Sequence, residues 1–436
     1  MYWISEKIPN DQFLLYAFDT AEVDPDLLLE WVRERAERVS DLRLVVRDVP
    51  KTVDYPVWVL SEVGEERIVV HQLASSMWTE CMGAVADILG TGVNARVSPW
   101  TLHLFPGVRA VPESRSDTAL VAVLQLSHAL ADGKRAAAIA RELFGREMPG
   151  PTVLPSRPPS STLLCALGLV RTPFLIGRMV AASFRSYQAY RESEALTADG
   201  TIPPKIDGRE LTMLNADPHG RHGIRIITLP LSDLRGGSST VTVTVLTAIS
   251  VAYSEYLQRH GVAPADRLGA EVTVALPGAS KSRNHFRNVG VDLYPGEKDL
   301  RVRAERIARA LDERRTRALH PSIASQGDPM SMTPAPMIRA GVRSYSPKER
   351  PDTVSGNTVL TSVNRGPSDL EYCGGPVLFT AGFPALSPVM GVTHGVYSIG
   401  DTATVSVHFG PDVMADPNEY EELLRHALDE VRIATV

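Results

Sequence analysis

The chain has 436 residues, of which 44% are hydrophobic and 22% are charged, and its net charge is −6. This length suits two domains of ordinary size, and the charged fraction is that of a globular protein and not of a disordered one. No basic run indicates nucleic-acid binding, so we expect small molecules or other proteins as partners.

In chain order, the hydrophobic pattern of the first half predicts strand 11–18, helix 26–39, strands 42–46, 57–60 and 67–72, helix 79–89, and strands 100–105 and 118–126. The last of these strands is an almost continuous apolar run, which is typical of a strand buried on both faces. A helix is predicted over 134–144, where apolar residues recur at helical spacing. A proline-rich break between residues 148 and 159 ends this region.

The second half begins with a helical segment at 160–194 and a linker at 201–208. The further predicted elements are strand 223–229, helix 243–259, strand 271–275, helix 300–319, strands 358–363, 376–381 and 403–409, and helix 417–431. Strands and helices mix in both halves, which predicts an α/β (α+β) protein. The predicted division is an N-terminal domain at 1–195, a linker at 196–210 and a C-terminal domain at 211–436.

The cysteines are far apart and form no Cys-x-x-Cys pair; they are Cys81, Cys165 and Cys373. This pattern predicts reduced thiols in a cytoplasmic protein and no zinc site. The N-terminus lacks the basic start and apolar core of a signal peptide. The most apolar segment, 163–184, is interrupted by two arginines and a proline, so we expect a helical element and not a membrane span. Peripheral membrane contact through this segment stays open.

The segment between the buried strand and the helix at 134–144 reads Ser-His-Ala-Leu-Ala-Asp-Gly at 127–133. A histidine just beyond a strand end can take a proton from an alcohol or amine as that group attacks a thioester, so His128 is a candidate general base. Asp132 stands where the helix starts, where a carboxylate caps the exposed N–H groups. Gly133 leaves a backbone position without side-chain bulk.

The pattern His-x-x-x-Asp-Gly by itself is modest evidence, since it arises by chance about once in twenty chains of this composition. The alternative is a loop histidine followed by an ordinary helix cap. The strand before the motif and the helix after it favour a functional site.

Several segments resemble the bacterial wax ester synthase/diacylglycerol acyltransferase family and, more distantly, polyketide-associated acyltransferases and nonribosomal condensation domains. The likeness is carried by the motif at 127–133, Pro-Asn-Asp-Gln-Phe at 9–13, Pro-Trp-Thr-Leu-His at 99–103, Leu-Asn at 214–215, Leu-Pro-Leu at 229–231, the helix at 241–257, Thr-Ser-Val-Asn-Arg-Gly-Pro at 361–367, Ser-Pro at 387–388 and His-Phe-Gly at 408–410.

The resemblance implies two chloramphenicol-acetyltransferase-like domains that form a pseudo-dimer around a central substrate tunnel. It implies that His128 is the general base and that Asp132 is structural, paired with Arg43. Gly133 would then lie beside the pantetheine arm of the donor. The remaining residues predicted to contact substrate are Ser127, Arg43, His394 and Asn364.

Two departures from the family pattern bear on the substrate. Ser127 replaces the first of the family's two histidines, as a spacer or as an oxyanion donor. The family's Asn-Asp pair is missing, and Thr-Val-Thr-Val stands at 242–245. Both departures favour an acceptor other than the standard wax or triacylglycerol substrates.

Three functions follow as hypotheses. The first is an acyltransferase that uses acyl-CoA and an alcohol or amine acceptor. The second is a condensation or tailoring enzyme of natural-product biosynthesis that takes its donor from an acyl-carrier protein. The third is a non-catalytic lipid-binding member of the fold. No resident cofactor or metal is expected, because the thioester carbonyl is already activated and no nucleotide-binding motif occurs.

Overall fold

The computed structural model describes residues 1–20, 24–150, 159–237, 239–262, 267–276, 286–327, 330, 332–346 and 350–435. Part of the predicted proline-rich break, at 151–158, lies outside the described residues. The description of the fold that follows concerns the described residues.

The strands are β1 (Gln12–Phe18), β2 (Leu44–Arg47), β3 (Val57–Leu60), β4 (Ile68–Val70), β5 (Trp100–Val108), β6 (Ala119–Leu126), β7 (Arg209–Glu210), β8 (Gly223–Pro230), β9 (Gly269–Ala275), β10 (Phe286–Asp292), β11 (Thr353–Val354), β12 (Thr358–Asn364), β13 (Glu371–Tyr372), β14 (Gly375–Gly382), β15 (Val392–Ile399) and β16 (Thr402–Phe409). The helices are α1 (Pro25–Ala36), α2 (Trp78–Leu89), α3 (Gly133–Phe144), α4 (Ser161–Ala198), α5 (Val241–Arg259), α6 (Leu300–Leu319), α7 (Pro321–Ala324), α8 (Ala335–Ser344) and α9 (Pro417–Thr435).

The first lobe is built on a mixed sheet with the strand order β13-β14-β1-β6-β5-β4. Strand β6 is buried along its whole length, as its apolar sequence predicts, because α1 and α3 cover one face and α2, together with Ile224 of the second lobe, covers the other. Strand β14 comes from the C-terminal half of the chain and pairs antiparallel with β1. The two halves of the sequence therefore share one sheet.

The second lobe is built on a mixed sheet with the strand order β10-β9-β12-β15-β16-β8. Helices α5, α6 and α9 bury their apolar faces against it and form the largest hydrophobic core of the molecule. Helix α5 is buried on most of its surface, which explains its lack of a polar face. Strand β15 was not predicted from sequence; its interior contains Gly395, and glycine is depleted in strands.

A third core joins the two lobes. Phe13 of β1 and Val85 of α2 meet Ile224 of β8 and Phe383, which follows β14. The junction is therefore a packed interface and not an open linker. Both lobes combine a mixed sheet with packed helices, so the predicted α/β (α+β) class is confirmed.

Candidate active site

The motif turn begins where β6 ends, and backbone hydrogen bonds close it. The Ser127 N–H donates to the Pro99 carbonyl at 2.8 Å, and the Leu130 N–H donates to the Ser127 carbonyl at 2.8 Å. The Ala129 N–H donates to the Ser127 hydroxyl at 3.3 Å. Ser127 is only 2% exposed, so it lies inside the turn that positions His128.

His128 lies at the junction of the two lobes. It follows β6 of the first sheet, and its ring lies 5.6 Å from the ring of Phe286, the first residue of β10 in the second sheet. The side chain is half-buried, with Nδ1 shielded from solvent. A substrate that reaches His128 is therefore bounded by both lobes.

Asp132 caps helix α3, as predicted, because its carboxylate accepts a hydrogen bond from the Arg135 N–H at 2.9 Å. The Arg135 guanidinium forms an ion pair with Asp41 at 2.6 Å, and this pair ties α3 to the turn that contains Arg43. Arg43 is half-buried, and its Nε makes no hydrogen bond to any described residue. The pairing of Asp132 with Arg43 stays a prediction.

Gly133 is exposed and loosely packed. A Cβ built on it would have the Gln12 Oε1 as its nearest neighbour, at 3.8 Å, which is an ordinary contact. The Gln12 amide in turn donates to the Ala131 carbonyl and holds the motif turn against the start of β1. Packing within the protein therefore does not require a glycine at 133.

The structure corrects the prediction for His394. This residue is on β15, fully buried, and both ring nitrogens are occupied, by the Thr358 hydroxyl at 2.8 Å and the Tyr420 hydroxyl at 2.7 Å. Burial lowers the pKa of His394 to about 3. His394 therefore has the contacts of a neutral histidine in the core of the second lobe, and it has no free ring nitrogen for a substrate.

Asn364 is exposed at the end of β12, where its side-chain oxygen accepts the Gly366 N–H at 2.8 Å. Arg141 of α3 donates to the Arg365 and Pro367 carbonyls at 3.2 Å and 3.1 Å. The loop that follows β12 is thus attached to the same helix that Asp132 caps. In this structure Asn364 shapes that loop, and its contact with substrate stays a prediction.

Sequence reasoning assigned no role to a chain of buried polar side chains in the first sheet. His71 Nε2 lies 3.0 Å from His103 Nδ1, His103 Nε2 lies 3.1 Å from the Gln125 side-chain oxygen, and the Gln125 amide donates to Asp11 at 2.8 Å. Burial raises the pKa of Asp11 to about 6 and lowers the pKa of His103 to about 4. The signal was Gln125 itself, a lone polar residue in an apolar strand, which must find a partner.

Asp11 also lines a cavity of about 180 Å³ between the lobes, together with Phe13, Phe383, His222 and His408. His408 Nδ1 donates to the Pro384 carbonyl at 2.8 Å, so its Nε2 accepts from His222 Nδ1 at 2.9 Å. This bonding requires a neutral His408, and burial lowers its pKa to about 3. No group of three or more metal-ligating side chains occurs in the described part of the chain.

Two α/β lobes with the His-x-x-x-Asp-Gly turn at their junction form the chloramphenicol-acetyltransferase-like fold that the resemblance implied. Residues 283–432 match the model of the WS/DGAT C-terminal domain. The resemblance to the wax ester synthase/diacylglycerol acyltransferase family that the sequence indicated is thereby confirmed, and with it the acyltransferase class. No curated protein sequence matches the chain.

Solved structures agree in fold. The wax ester synthase/diacylglycerol acyltransferase from Marinobacter aquaeolei VT8 aligns with a TM-score of 0.64 and 17% identity over 99% of this chain and 96% of that one. A starter condensation domain of rhizomide synthetase in complex with C8-CoA aligns with a TM-score of 0.57 and 13% identity, over 99% and 92%. The first condensation domain of the CDA synthetase aligns with a TM-score of 0.54 and 12% identity, over 99% and 94%.

Proposed function

We propose that the protein transfers an acyl group from acyl-CoA to an alcohol or amine acceptor, with His128 as the general base. The observation that carries this proposal is the position of His128, on a turn at the end of a buried strand, facing Phe286 of the other lobe. A base held between two lobes can receive a donor from one side and an acceptor from the other. The match of residues 283–432 to the WS/DGAT C-terminal domain supports the reaction class.

In this proposal the acceptor O–H or N–H approaches the thioester carbonyl, and His128 removes its proton as the new C–O or C–N bond forms. The carbonyl electron pair moves onto oxygen and gives a tetrahedral intermediate. When that pair returns, the C–S bond breaks, and the thiolate takes the proton back from the histidine. The products are an ester or amide and free CoA. The thioester supplies the activated carbonyl, so the steps balance without a redox or metal cofactor.

The other motif residues position this chemistry. Asp132 orders the first turn of α3 by capping it, and the pair of Arg135 with Asp41 holds that turn to the neighbouring segment. Gly133 provides free volume for the pantetheine arm at the same turn. These roles make Asp132 a positioning residue, whereas Gly133 would contact the donor directly.

Replacing Gly133 by valine is expected to raise KM for the acyl donor without lowering the melting temperature. The added Cβ makes only an ordinary contact with the Gln12 side chain, at 3.8 Å, so we expect the folded protein to accommodate the substitution while the donor loses room. Gly83→Val is the matched control, because Gly83 also lies in a helix with no neighbour within 4 Å and is remote in sequence from the motif. Equal donor KM values in the two variants would contradict the assignment of Gly133.

The proposed reaction is tested by acceptor-dependent thiol release. The purified chain is incubated with octanoyl-CoA or palmitoyl-CoA, alone and with a panel of alcohols and amines, and free thiol and product mass are measured together. We expect thiol release that requires an acceptor and an acyl product of matching mass. Thiol release that no acceptor increases, with no acyl product, would overturn the proposal.

The same assay separates the alternatives. One acyl group is presented on CoA and on a phosphopantetheinylated carrier protein. A strong preference for the carrier would identify a condensation or tailoring enzyme of natural-product biosynthesis, whose donor is tethered. A raised melting temperature with acyl-CoA but no turnover on either donor would identify a non-catalytic lipid-binding protein.

We place this activity in the cytoplasm. The three cysteines are free thiols, as expected of a protein in a reducing compartment. Acyl-CoA is a soluble donor, so no membrane-bound component is needed for the donor side of the reaction.

A further inference from the structure

Helix α4 (Ser161–Ala198) rests on the protein along a single stripe. Its buried residues are Gly168, Ala182, Ala189 and Ser193. A Cβ on Gly168 would come within 2.9 Å of the Asp54 side chain, so the helix backbone lies close against the first lobe there. Farther along, the Ser186 hydroxyl donates to the Gln326 carbonyl at 3.0 Å, which fixes the helix to the second lobe.

The face of α4 that points away from this stripe is apolar and exposed. Val170, Phe174 and Phe184 are 76%, 66% and 63% exposed. In a helix with 100° per residue, Val170 lies about 200° from Gly168, and Phe174 and Phe184 lie on the same outward side. The other large apolar residues exposed on this helix are Leu163, Leu167, Leu169, Ile176, Val180, Tyr187 and Tyr190. An apolar surface of this extent marks an interaction site.

The charges on most of this helix have one sign, and its two glutamates, Glu192 and Glu194, lie near its C-terminal end. Residues 161–191 contain four arginines and no aspartate, glutamate or lysine. Three of the arginines, Arg171, Arg178 and Arg185, recur every seven residues, which places them along one edge of the apolar face. The Arg178 guanidinium lies 5.6 Å from the Phe174 ring centre, and Arg171 is within 3.5 Å of Asp54.

We propose that α4 binds the surface of an anionic lipid bilayer, with its outward face in the acyl-chain boundary and its row of arginines at the phosphate headgroups. An apolar face bordered by arginines is the pattern of interfacial helices, whose long cationic side chains reach the headgroups. By length and composition α4 could also cross a bilayer. The contacts of Gly168 and Ser186 with both lobes favour the surface position, since spanning would break them.

The charge pattern favours lipid over a second copy of the chain. Two copies that met through this face would bring their arginine rows together with no acidic residue in residues 161–191 to offset them, and like charges in contact are unfavourable. Anionic lipids attract such a row, and each arginine near the surface strengthens binding. Membrane binding by α4 does not depend on acyl transfer at His128, so the two can be tested separately.

The test is flotation of the full chain with vesicles of phosphatidylcholine alone or with about 30% phosphatidylglycerol. We expect the wild type to float with the anionic vesicles. It should bind vesicles of phosphatidylcholine alone more weakly, and high salt should weaken its binding to the anionic vesicles. The Val170→Glu/Phe174→Glu variant should bind the anionic vesicles about tenfold more weakly, because it puts two charges into the apolar face. Ile433→Glu, at an apolar residue of α9 that is 71% exposed, is the matched control and should bind like the wild type.

Three outcomes would overturn the proposal. The first is wild-type protein that does not float with anionic vesicles. The second is a Val170→Glu/Phe174→Glu variant that floats as well as the wild type while its melting temperature is unchanged. The third is a dimer in light scattering that this variant dissociates, without vesicle binding by the wild type. That third result would assign the face to another copy of the chain.

Discussion

Replacing His128 by alanine is expected to lower kcat/KM for acyl transfer by about 10²–10⁴-fold, the usual contribution of a general base. The acceptor would then have to attack the thioester without losing its proton to the enzyme. The turn should keep its shape, because the backbone bonds of Ser127 and Leu130 and the contact of Gln12 with Ala131 do not involve the imidazole. The measurement is acceptor-dependent thiol release, with the melting temperature recorded for each variant.

The control for this substitution is His426→Ala, which removes an exposed histidine from α9 in the other lobe. His128→Gln is the second variant, because it keeps a polar side chain of similar size but cannot accept and return a proton as imidazole does. Loss of activity in both His128 variants, with normal melting temperatures, is the expected result. If either variant keeps most of the wild-type rate, His128 is not the base.

Acidification is expected to destabilise the protein steeply between pH 6 and pH 4.5. Burial lowers the pKa of His394 and of His408 to about 3 and that of His103 to about 4, against an ordinary value of 6.5. In this range the unfolded chain binds protons at these histidines and the folded chain does not, so stability falls as pH falls. Asp11 acts in the opposite direction, because its folded pKa is about 6 and its ordinary value is 3.8.

For these four groups together, the net effect is that of about two histidines, or about 2.7 kcal/mol of unfolding free energy per pH unit. The measurement is the urea-unfolding midpoint at a series of pH values. His394→Gln keeps a polar side chain between Thr358 and Tyr420 but cannot titrate, so it should reduce the slope by about 1.4 kcal/mol per pH unit. His426→Gln, an exposed site, should leave the slope unchanged. Equal slopes for wild type and His394→Gln would show that buried, neutral His394 does not contribute to the loss of stability in acid.

Local sequence patterns predicted the part of the candidate site that lies in one continuous segment, from β6 to the start of α3. The apolar run of β6, the glycine at 133 and the cap at Asp132 each depend on neighbours within a few residues, so sequence periodicity and capping rules could place them. The structure agrees with these elements. Strand β15 was not predicted, because Gly395 weakens its local strand signal and the strand is defined by its pairing with β12 and β16.

His394 shows where sequence reasoning ends. The residue type and its place in a resemblance suggested a substrate contact, but the hydroxyls of Thr358 and Tyr420, from distant parts of the chain, occupy both ring nitrogens. The polar chain from His71 to Asp11 has the same character. Its members come from four separate segments, and one lone polar residue in β6 was the only trace of it in the sequence.

The sequence by itself determined the class of fold, the His-x-x-x-Asp-Gly turn and the candidate base, because these depend on short-range patterns of burial and capping. Only the tertiary structure decided that β14 of the second half completes the first sheet beside β1, that Phe286 of the other lobe faces His128, and that α4 leaves its apolar face exposed. Those arrangements depend on contacts between residues far apart in the chain, which local patterns of burial and capping do not encode.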